Sequence, residues 1–289
     1  MIAAKSYLGK KVAVMGLARS GQSAAEALKA GGAEVIAWDD DVKKCRETAL
    51  LGINISDLTK EDFTNIDALI LSPGIPHSHP KPHVVAKKAK KANTPIIGDI
   101  EIFVKNFIEP RIIGITGTNG KSTTTSLLGH ILRSAGLPVE IGGNIGLPVL
   151  GFENTLDAGY QVLELSSYQL ELTPSLCCEI AVILNISPDH LDRHGGMDGY
   201  KAAKLKIMES LPENAIAIIG VDDPESIGIA KWLTENEYKN LRVIPISGLV
   251  VPENGVGVLN GNIVSNITVS YTHLRAHETG RNLVCRLLL

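Results

Sequence analysis

The sequence is poor in the features that would place it outside the ordinary class of soluble enzymes. It has four cysteines, Cys45, Cys177, Cys178 and Cys285, and none forms a CxxC pair. That spacing excludes a zinc ribbon or a disulfide framework and predicts unpaired thiols in a reducing compartment. Net charge is only -3, so no basic footprint for nucleic acid is present and no nucleic-acid partner is expected. No apolar run reaches the ~18 residues of a membrane span. The opening MIAAKSYLGKK has no apolar core of a secretory leader. Together these absences predict a cytoplasmic protein with no membrane partner, expected to be a monomer. No repeat or low-complexity tract stands out. What remains is an ordinary balance, 44% hydrophobic and 20% charged over 289 residues, long enough for about two domains with separate cores.

Within that plain background, strand and helix patterns alternate, which predicts an α/β protein with parallel sheets. In the first half KVAVMGL, EVIAWD, ALILSP and PIIGD read as short buried strands. Helical patterns follow at Ser20–Ala30, near Val42–Leu50 and at His83–Ala92, and a short segment spans Asp99–Phe107. In the second half the strands are RIIGITG, VEIGG, QVLELSS, IAVILNIS, AIAIIGVDD and RVIPIS. Helices fit Lys121–Ala135, Gly199–Leu211 and Pro224–Thr234. GVGVLNGNIVSNI predicts a hairpin that turns at Asn260-Gly261 in a type I′ turn.

The run RIIGITGTNGKSTTTSLL carries the strongest chemistry. An apolar strand, a glycine turn and a helix opening on Lys121-Ser122 predict a phosphate loop. Backbone N–H groups of Gly117 to Lys121 wrap an anion at a helix N-terminus, Lys121 adds a point charge, and the Ser122 hydroxyl suits Mg²⁺. The ATP-binding candidates are Gly117, Thr118, Asn119, Gly120, Lys121, Ser122 and Thr123. The loop is a variant, because Ile115 stands where the strict pattern has its first glycine. The alternative is a glycine turn that only caps a helix.

GLARSG, Gly16 to Gly21, follows the first strand as G-x-A-x-x-G, and Asp39 closes the second strand. The pattern fits a nucleotide diphosphate, a nicotinamide dinucleotide serving an oxidoreductase, or a purely structural turn. Ala18 in place of the second glycine weighs against the dinucleotide. SPGIP, from Ser72, ends the third strand at the same sheet edge, where ligands of open α/β sheets collect; the alternative is a rigid Pro-Gly turn with no ligand. Glu164 near the end of QVLELSS is costly to bury unpaired; a shared Mg²⁺ with Ser122 or an ion pair would neutralise it. ILNISPDHLDRHG gathers Asp189, His190, Asp192 and His194 on one loop and suggests a second metal or a γ-phosphate contact. Lys201 and Lys206 read as solvated. Lys204, desolvated near metal, would be neutral part of the time and able to react with CO₂ as a carbamate.

These stretches together, GLARSG, SPGIP, GDIEIF, GITGTNGKST, GGNIGLP, LELSSYQLE, LNISPDHLDRH and YKAAKLKI, resemble the Mur ligase family over roughly Lys5 to Ile267. The similarity is greatest to its D-glutamate-adding branch. The resemblance implies a Rossmann-like uridine-nucleotide domain at 1–108 and a P-loop-type α/β central domain at 109–267, incomplete at its C-terminal end. It implies Arg19, Ser20, Asp39, Ser72, Pro73 and Gly74 at the UDP-sugar site, and Lys121, His190, Lys204 and Asn144 in catalysis. Metal ligands would be Ser122, Glu164, His190 and Lys204 as its carbamate, with two Mg²⁺ and ATP, and Asp189 and Asp192 in support. The implied reaction adds D-glutamate to UDP-N-acetylmuramoyl-L-alanine through an acyl phosphate, in peptidoglycan precursor synthesis. Alternatives are a nucleotide-binding module without turnover, or a ligase like folylpolyglutamate synthase. The resemblance does not extend to the family's third domain or its LSGxHNxxN-type segment, and Asp41 stands where a base could have met the diphosphate. Residues 268–289 follow no assignable period and read as a non-native or disordered tail.

Overall fold

A computed structural model of the chain describes residues 1–106, 111–152 and 159–267. The tail at 268–289 and the predicted boundary near residue 108 lie outside the described residues. The first lobe is one five-stranded sheet in the order β3-β2-β1-β4-β5, parallel throughout. Its strands are β1 (Lys11–Met15), β2 (Glu34–Trp38), β3 (Asn54–Ile55), β4 (Ala68–Leu71) and β5 (Ile96–Ile97). Helices α1 (Arg19–Ala30), α2 (Val42–Leu50), α3 (Val84–Lys91) and α4 (Asp99–Lys105) connect and flank them. Strands β1 and β4 are buried almost end to end, as parallel strands covered on both faces must be.

The second lobe is an eight-stranded sheet in the order β13-β12-β11-β10-β9-β6-β8-β7. Its parallel strands are β6 (Arg111–Thr116), β7 (Val139–Gly143), β8 (Tyr160–Glu164), β9 (Ile180–Ile183), β10 (Ile216–Gly220), β11 (Arg242–Ile246) and β12 (Val256–Leu259). Only β13 (Asn262–Ser265) runs antiparallel, against β12. Helices α5 (Lys121–Ser134), α6 (Ser167–Glu171), α7 (Leu191–His194), α8 (Met197–Glu209) and α9 (Pro224–Glu235) cross over or cap the strands. The β12–β13 turn has φ 51° at Asn260 and 77° at Gly261, the two positive values a type I′ turn requires. Among the described residues no helix is long and apolar enough to cross a membrane.

Three elements differ from the sequence reading. Edge strand β3 is two residues long, too short to leave a period. Helix α6 is five residues, set by a capping box: Ser166 Oγ accepts from Gln169 N, and the Gln169 side chain accepts from Ser166 N. Helix α7 interrupts the loop that follows β9. Asp41 caps α2 by accepting from Lys43 N at 2.9 Å, so helix capping accounts for the acid at that position. Lys201 is paired with Glu225 at 2.8 Å.

The lobes meet where the carboxyl ends of their strands face a common seam. Gly98 N donates to Leu172 O (2.8 Å), Ser175 N to Glu101 Oε2 (2.9 Å) and Ile2 N to Leu150 O (2.9 Å). Phe103 meets Phe152 edge to face at 5.7 Å. Glu101 is wholly buried at this seam and is offset by Lys105 at 3.0 Å.

Candidate functional site

In the first lobe, GLARSG makes the tight turn from β1 into α1. A Cβ on Gly21 would sit 1.7 Å from Gly16 O, so this position admits only glycine while α1 packs against the turn. Gly16, at φ 91°, leaves no room either: its Cβ would lie 2.7 Å from Ser72 Oγ. That hydroxyl donates to Gly16 O at 2.9 Å. Asp39 is buried, with Oδ2 accepting from Leu17 N (2.7 Å) and Oδ1 from Asp41 N (2.8 Å). Oδ2 thus braces the GLARSG turn, and Oδ1 the turn from β2 into α2. Ser72 and Asp39 are thus engaged within the turns at the carboxyl ends of β4 and β2.

In the second lobe, β6 runs into the glycine turn and α5 begins at Lys121. Gly117 has φ 155° and Gly120 φ 81°, conformations that favour glycine. The first-turn N–H groups of α5 have no intrahelical acceptors and concentrate positive potential. Lys121 Nζ lies over the turn, donating to Gly117 O (2.9 Å) and Thr118 O (2.8 Å). Asn185, one residue beyond Leu184 after β9, clamps the turn from below. Its Oδ1 accepts from Thr118 N (3.1 Å) and Asn119 N (2.8 Å), and its Nδ2 donates to Asn119 O (3.1 Å). Thr118 Oγ1 adds a bond to Ser187 O (3.1 Å) and meets Tyr200 OH (3.0 Å). The sequence reading missed Asn185; its only signal was an amide directly after an apolar strand.

Lys204 is 2% exposed and donates to Gly117 O at 2.8 Å. Burial, then the neighbouring Lys121 charge, push its pKa down from 10.5 to about 7, and Asp189 partly opposes them. Glu164 ends β8 in register with Ile115 of β6, beside the phosphate turn. It is 1% exposed. Oε1 accepts from Asn144 Nδ2 at 2.7 Å, while Oε2 is buried without a hydrogen-bond partner among the described residues. An orphaned buried carboxylate oxygen next to a phosphate turn fits a cation. Among the described residues no three His, Cys, Asp or Glu side chains gather into a metal cluster. A bound ion would thus share Glu164 with hydroxyl, water and phosphate oxygens, as Mg²⁺ does.

The loop after β9 separates its two histidines. His190 has φ 51°, a partly exposed ring 3.5 Å from Asp189, and lies against Tyr168. A left-handed non-glycine residue is strained, a condition that clusters at functional sites. His194 is buried, with Nε2 2.9 Å from Ser167 Oγ and its ring stacked on Tyr168 at 5.2 Å. It holds α6 and α7 together. Asp192 belongs to the first turn of α7.

Between the lobes lies a cleft of about 250 Å³. From the first lobe Ala18, Arg19, Ser20, Pro73 and Gly74 line it; from the second, Gly143, Asn144, Gly146, Pro148 and Gln169. The structure thus unites Arg19, Ser20, Pro73, Gly74 and Asn144 around one space. Asn144 connects that space to the phosphate side: its backbone N donates to Glu164 O (2.8 Å) and its amide to Glu164 Oε1. Gln169, Gly143 and Gly146 were not singled out from sequence.

A family model described as "Mur ligase middle domain" matches residues 115–248. The chain is 50% identical over 268 residues to the UDP-N-acetylmuramoylalanine--D-glutamate ligase of Caulobacter sp. (strain K31), covering 90% of this chain and 56% of that protein. It is 46% identical over 267 residues to the enzyme of the same name from Phenylobacterium zucineum (strain HLK1), with the same coverage. The chain therefore spans a little over half the length of the curated relatives it matches. Among solved structures it is similar in fold to UDP-N-acetylmuramate:L-alanyl-gamma-D-glutamyl-meso-diaminopimelate ligase from Neisseria meningitides, with TM-score 0.57 at 16% identity, over 90% of this chain and 85% of that one. With two α/β lobes, a glycine turn backed by Glu164 and this similarity over nine-tenths of its length, the chain resembles the Mur ligases, whose middle-domain model matches residues 115–248.

Proposed function

We propose that the chain is the sugar-nucleotide- and ATP-binding part of a ligase that adds D-glutamate to UDP-N-acetylmuramoyl-L-alanine in peptidoglycan precursor synthesis. The names of its relatives support the substrates, and the shared cleft supports the arrangement. The observation that carries the reading is the Asn144–Glu164 link, which joins the interlobe cleft to the phosphate turn. The uridine nucleotide occupies the first-lobe wall, at Arg19, Ser20, Pro73 and Gly74. Its alanyl carboxylate points past Asn144 toward Lys121.

The chemistry is charge management. The carboxylate attacks the γ-phosphorus of ATP, ADP leaves, and an acyl phosphate forms. The amine of D-glutamate then attacks that carbonyl, phosphate leaves, and a proton goes to solvent. Lys121 and the α5 N-terminus lower the repulsion between carboxylate and triphosphate and stabilise charge on the transferred group. Magnesium, when bound, supplies further neutralisation of the phosphate oxygens. Glu164 Oε2 and the Ser122 hydroxyl would hold one ion, and His190 and Lys204 a second. Lys204 suits that role as a carbamate. With a pKa of about 7, roughly half its amine is neutral at pH 7. The neutral nitrogen bonds to CO₂ carbon and releases one proton. The resulting anion beside Lys121 replaces repulsion with attraction.

The chain alone is read as a binding module of this ligase; turnover belongs to the full-length protein, in the cytoplasm. Titration calorimetry of the purified chain with UDP-N-acetylmuramoyl-L-alanine tests the reading. Saturable one-site binding is expected. No detectable heat at about 1 mM ligand would overturn it.

A further inference from the structure

A polar contact crosses the seam at the cleft itself. Arg193, in α7, donates from Nη1 to Gly74 O at 3.0 Å, between residues 119 positions apart. Gly74 lines the cleft. The guanidinium lies over the Tyr168 ring, 4.7 Å from its centroid, and Tyr168 is itself stacked on the buried His194. A charged donor held over an aromatic platform keeps its direction at little cost in rotamer entropy. Arg193 Nε is buried as well, without a hydrogen-bond partner among the described residues. The arginine is therefore committed to this position at an energetic cost, which a solvated surface arginine would not bear.

The SPG turn receives the other half of its support from its own lobe. Ser72 Oγ holds Gly16 O, and Ile75 N closes the turn on Ser72 O at 2.9 Å. Ser72 thus fixes the start of the turn, and Arg193 fixes its exposed end from the opposite lobe. Next to them, Gly195 faces His79, where an added Cβ would lie 3.1 Å from the imidazole. The α7 segment is thus seated against the first lobe at two places.

The geometry points to Arg193 as a positioning residue for the sugar nucleotide: it sets the carbonyl of Gly74, and with it the Pro73–Gly74 wall of the cleft, in the orientation that receives the ligand. Arg193 is not itself in the cleft lining and need not touch the ligand. This inference rests on the cleft being the uridine-nucleotide site. Its consequence is selective. Losing Arg193 loosens the first-lobe wall, while the phosphate turn keeps its own clamps, Asn185 and Thr118.

The test is titration calorimetry on the 289-residue chain with UDP-N-acetylmuramoyl-L-alanine and, separately, with ATP and Mg²⁺. Arg193→Ala should weaken sugar-nucleotide binding about tenfold, the value of one hydrogen bond from a charged donor. ATP affinity should stay within about twofold. A merely structural arginine would instead lower both affinities together, and that result overturns the proposal. So does unchanged sugar-nucleotide affinity. Should Arg193→Ala fail to fold, Tyr168→Leu removes the platform and leaves the arginine. It should reproduce the selective loss, and adding Arg193→Lys to it should cost little more, because the two changes break one unit. Full additivity of the two losses would overturn the clasp. A wild-type chain that binds no sugar nucleotide defeats the parent reading as well. Wild-type binding with an indifferent Arg193 defeats this inference alone.

Discussion

Replacing Lys204 by methionine should stabilise the protein. The side chain is 2% exposed, and its pKa falls from 10.5 to about 7. Between those values the unfolded chain carries a proton that the folded chain has released. Stability therefore rises with pH across the window from about 7 to 10.5, and below it the buried charge costs its full amount. That gap is worth about 5 kcal/mol as a ceiling. Methionine fills similar volume without charge. It gives up the bond to Gly117 O, about 1 kcal/mol, and that carbonyl still accepts from Lys121. A net gain of about 3 kcal/mol at pH 6 raises the melting midpoint by roughly 6–12 °C. Scanning calorimetry of both proteins at pH 6 and pH 10, in CO₂-free buffer, measures it. Most of the gain should vanish at pH 10. A Lys204→Met protein that melts at or below wild type at pH 6, or whose advantage grows with pH, would refute the reasoning.

Asp99 offers the acidic counterpart. Burial raises its carboxyl from 3.8 to about 6, so the folded state holds a proton between those values and wild-type stability falls as pH climbs through them. The advantage of Asp99→Asn over wild type should grow by up to about 3 kcal/mol from pH 3.5 to pH 7.5 in urea titrations; a flat difference would contradict the burial account. Gly21→Ala places a methyl group 1.7 Å from Gly16 O. Far-UV circular dichroism should show a melting midpoint lowered by at least about 8 °C, and a shift under about 2 °C would mean that the β1–α1 turn is looser than described. Glu164→Gln keeps the shape and removes the charge, so ATP affinity should lose its dependence on Mg²⁺ in calorimetry. An undiminished Mg²⁺ effect would take Glu164 out of the cation site.

Much of the fold was legible because its signals are local. Apolar runs such as IAVIL, capped by Asn or Gly, mark buried parallel strands, and the Asn260-Gly261 pair fixes the hairpin. Lys121 and Ser122 announced the phosphate turn by their order after a strand. What escaped the sequence depends on contacts across the chain. Asn185 acts on Thr118 and Asn119, 66 or 67 positions away, and no spacing rule reports that. Arg193 and Gln169 matter only once the lobes are docked. His194 looked equal to His190, yet a few residues decide burial in α7 against exposure beside Asp189. Asp39 and Ser72, expected at the sugar-nucleotide site, hydrogen-bond the turns at their strand ends and are not among the residues that line the cleft.

The central claim is that the sugar-nucleotide cleft opens onto the cation beside the phosphate turn. Replacing Mg²⁺ with paramagnetic Mn²⁺ in the complex of this chain with ATP and UDP-N-acetylmuramoyl-L-alanine tests it by proton relaxation of the bound ligand. The account predicts strong broadening of the alanyl methyl signal, weak broadening of the uracil protons, and loss of both effects in Glu164→Gln. Equal or stronger broadening at uracil, or none at the alanyl methyl while both ligands are bound, would contradict it.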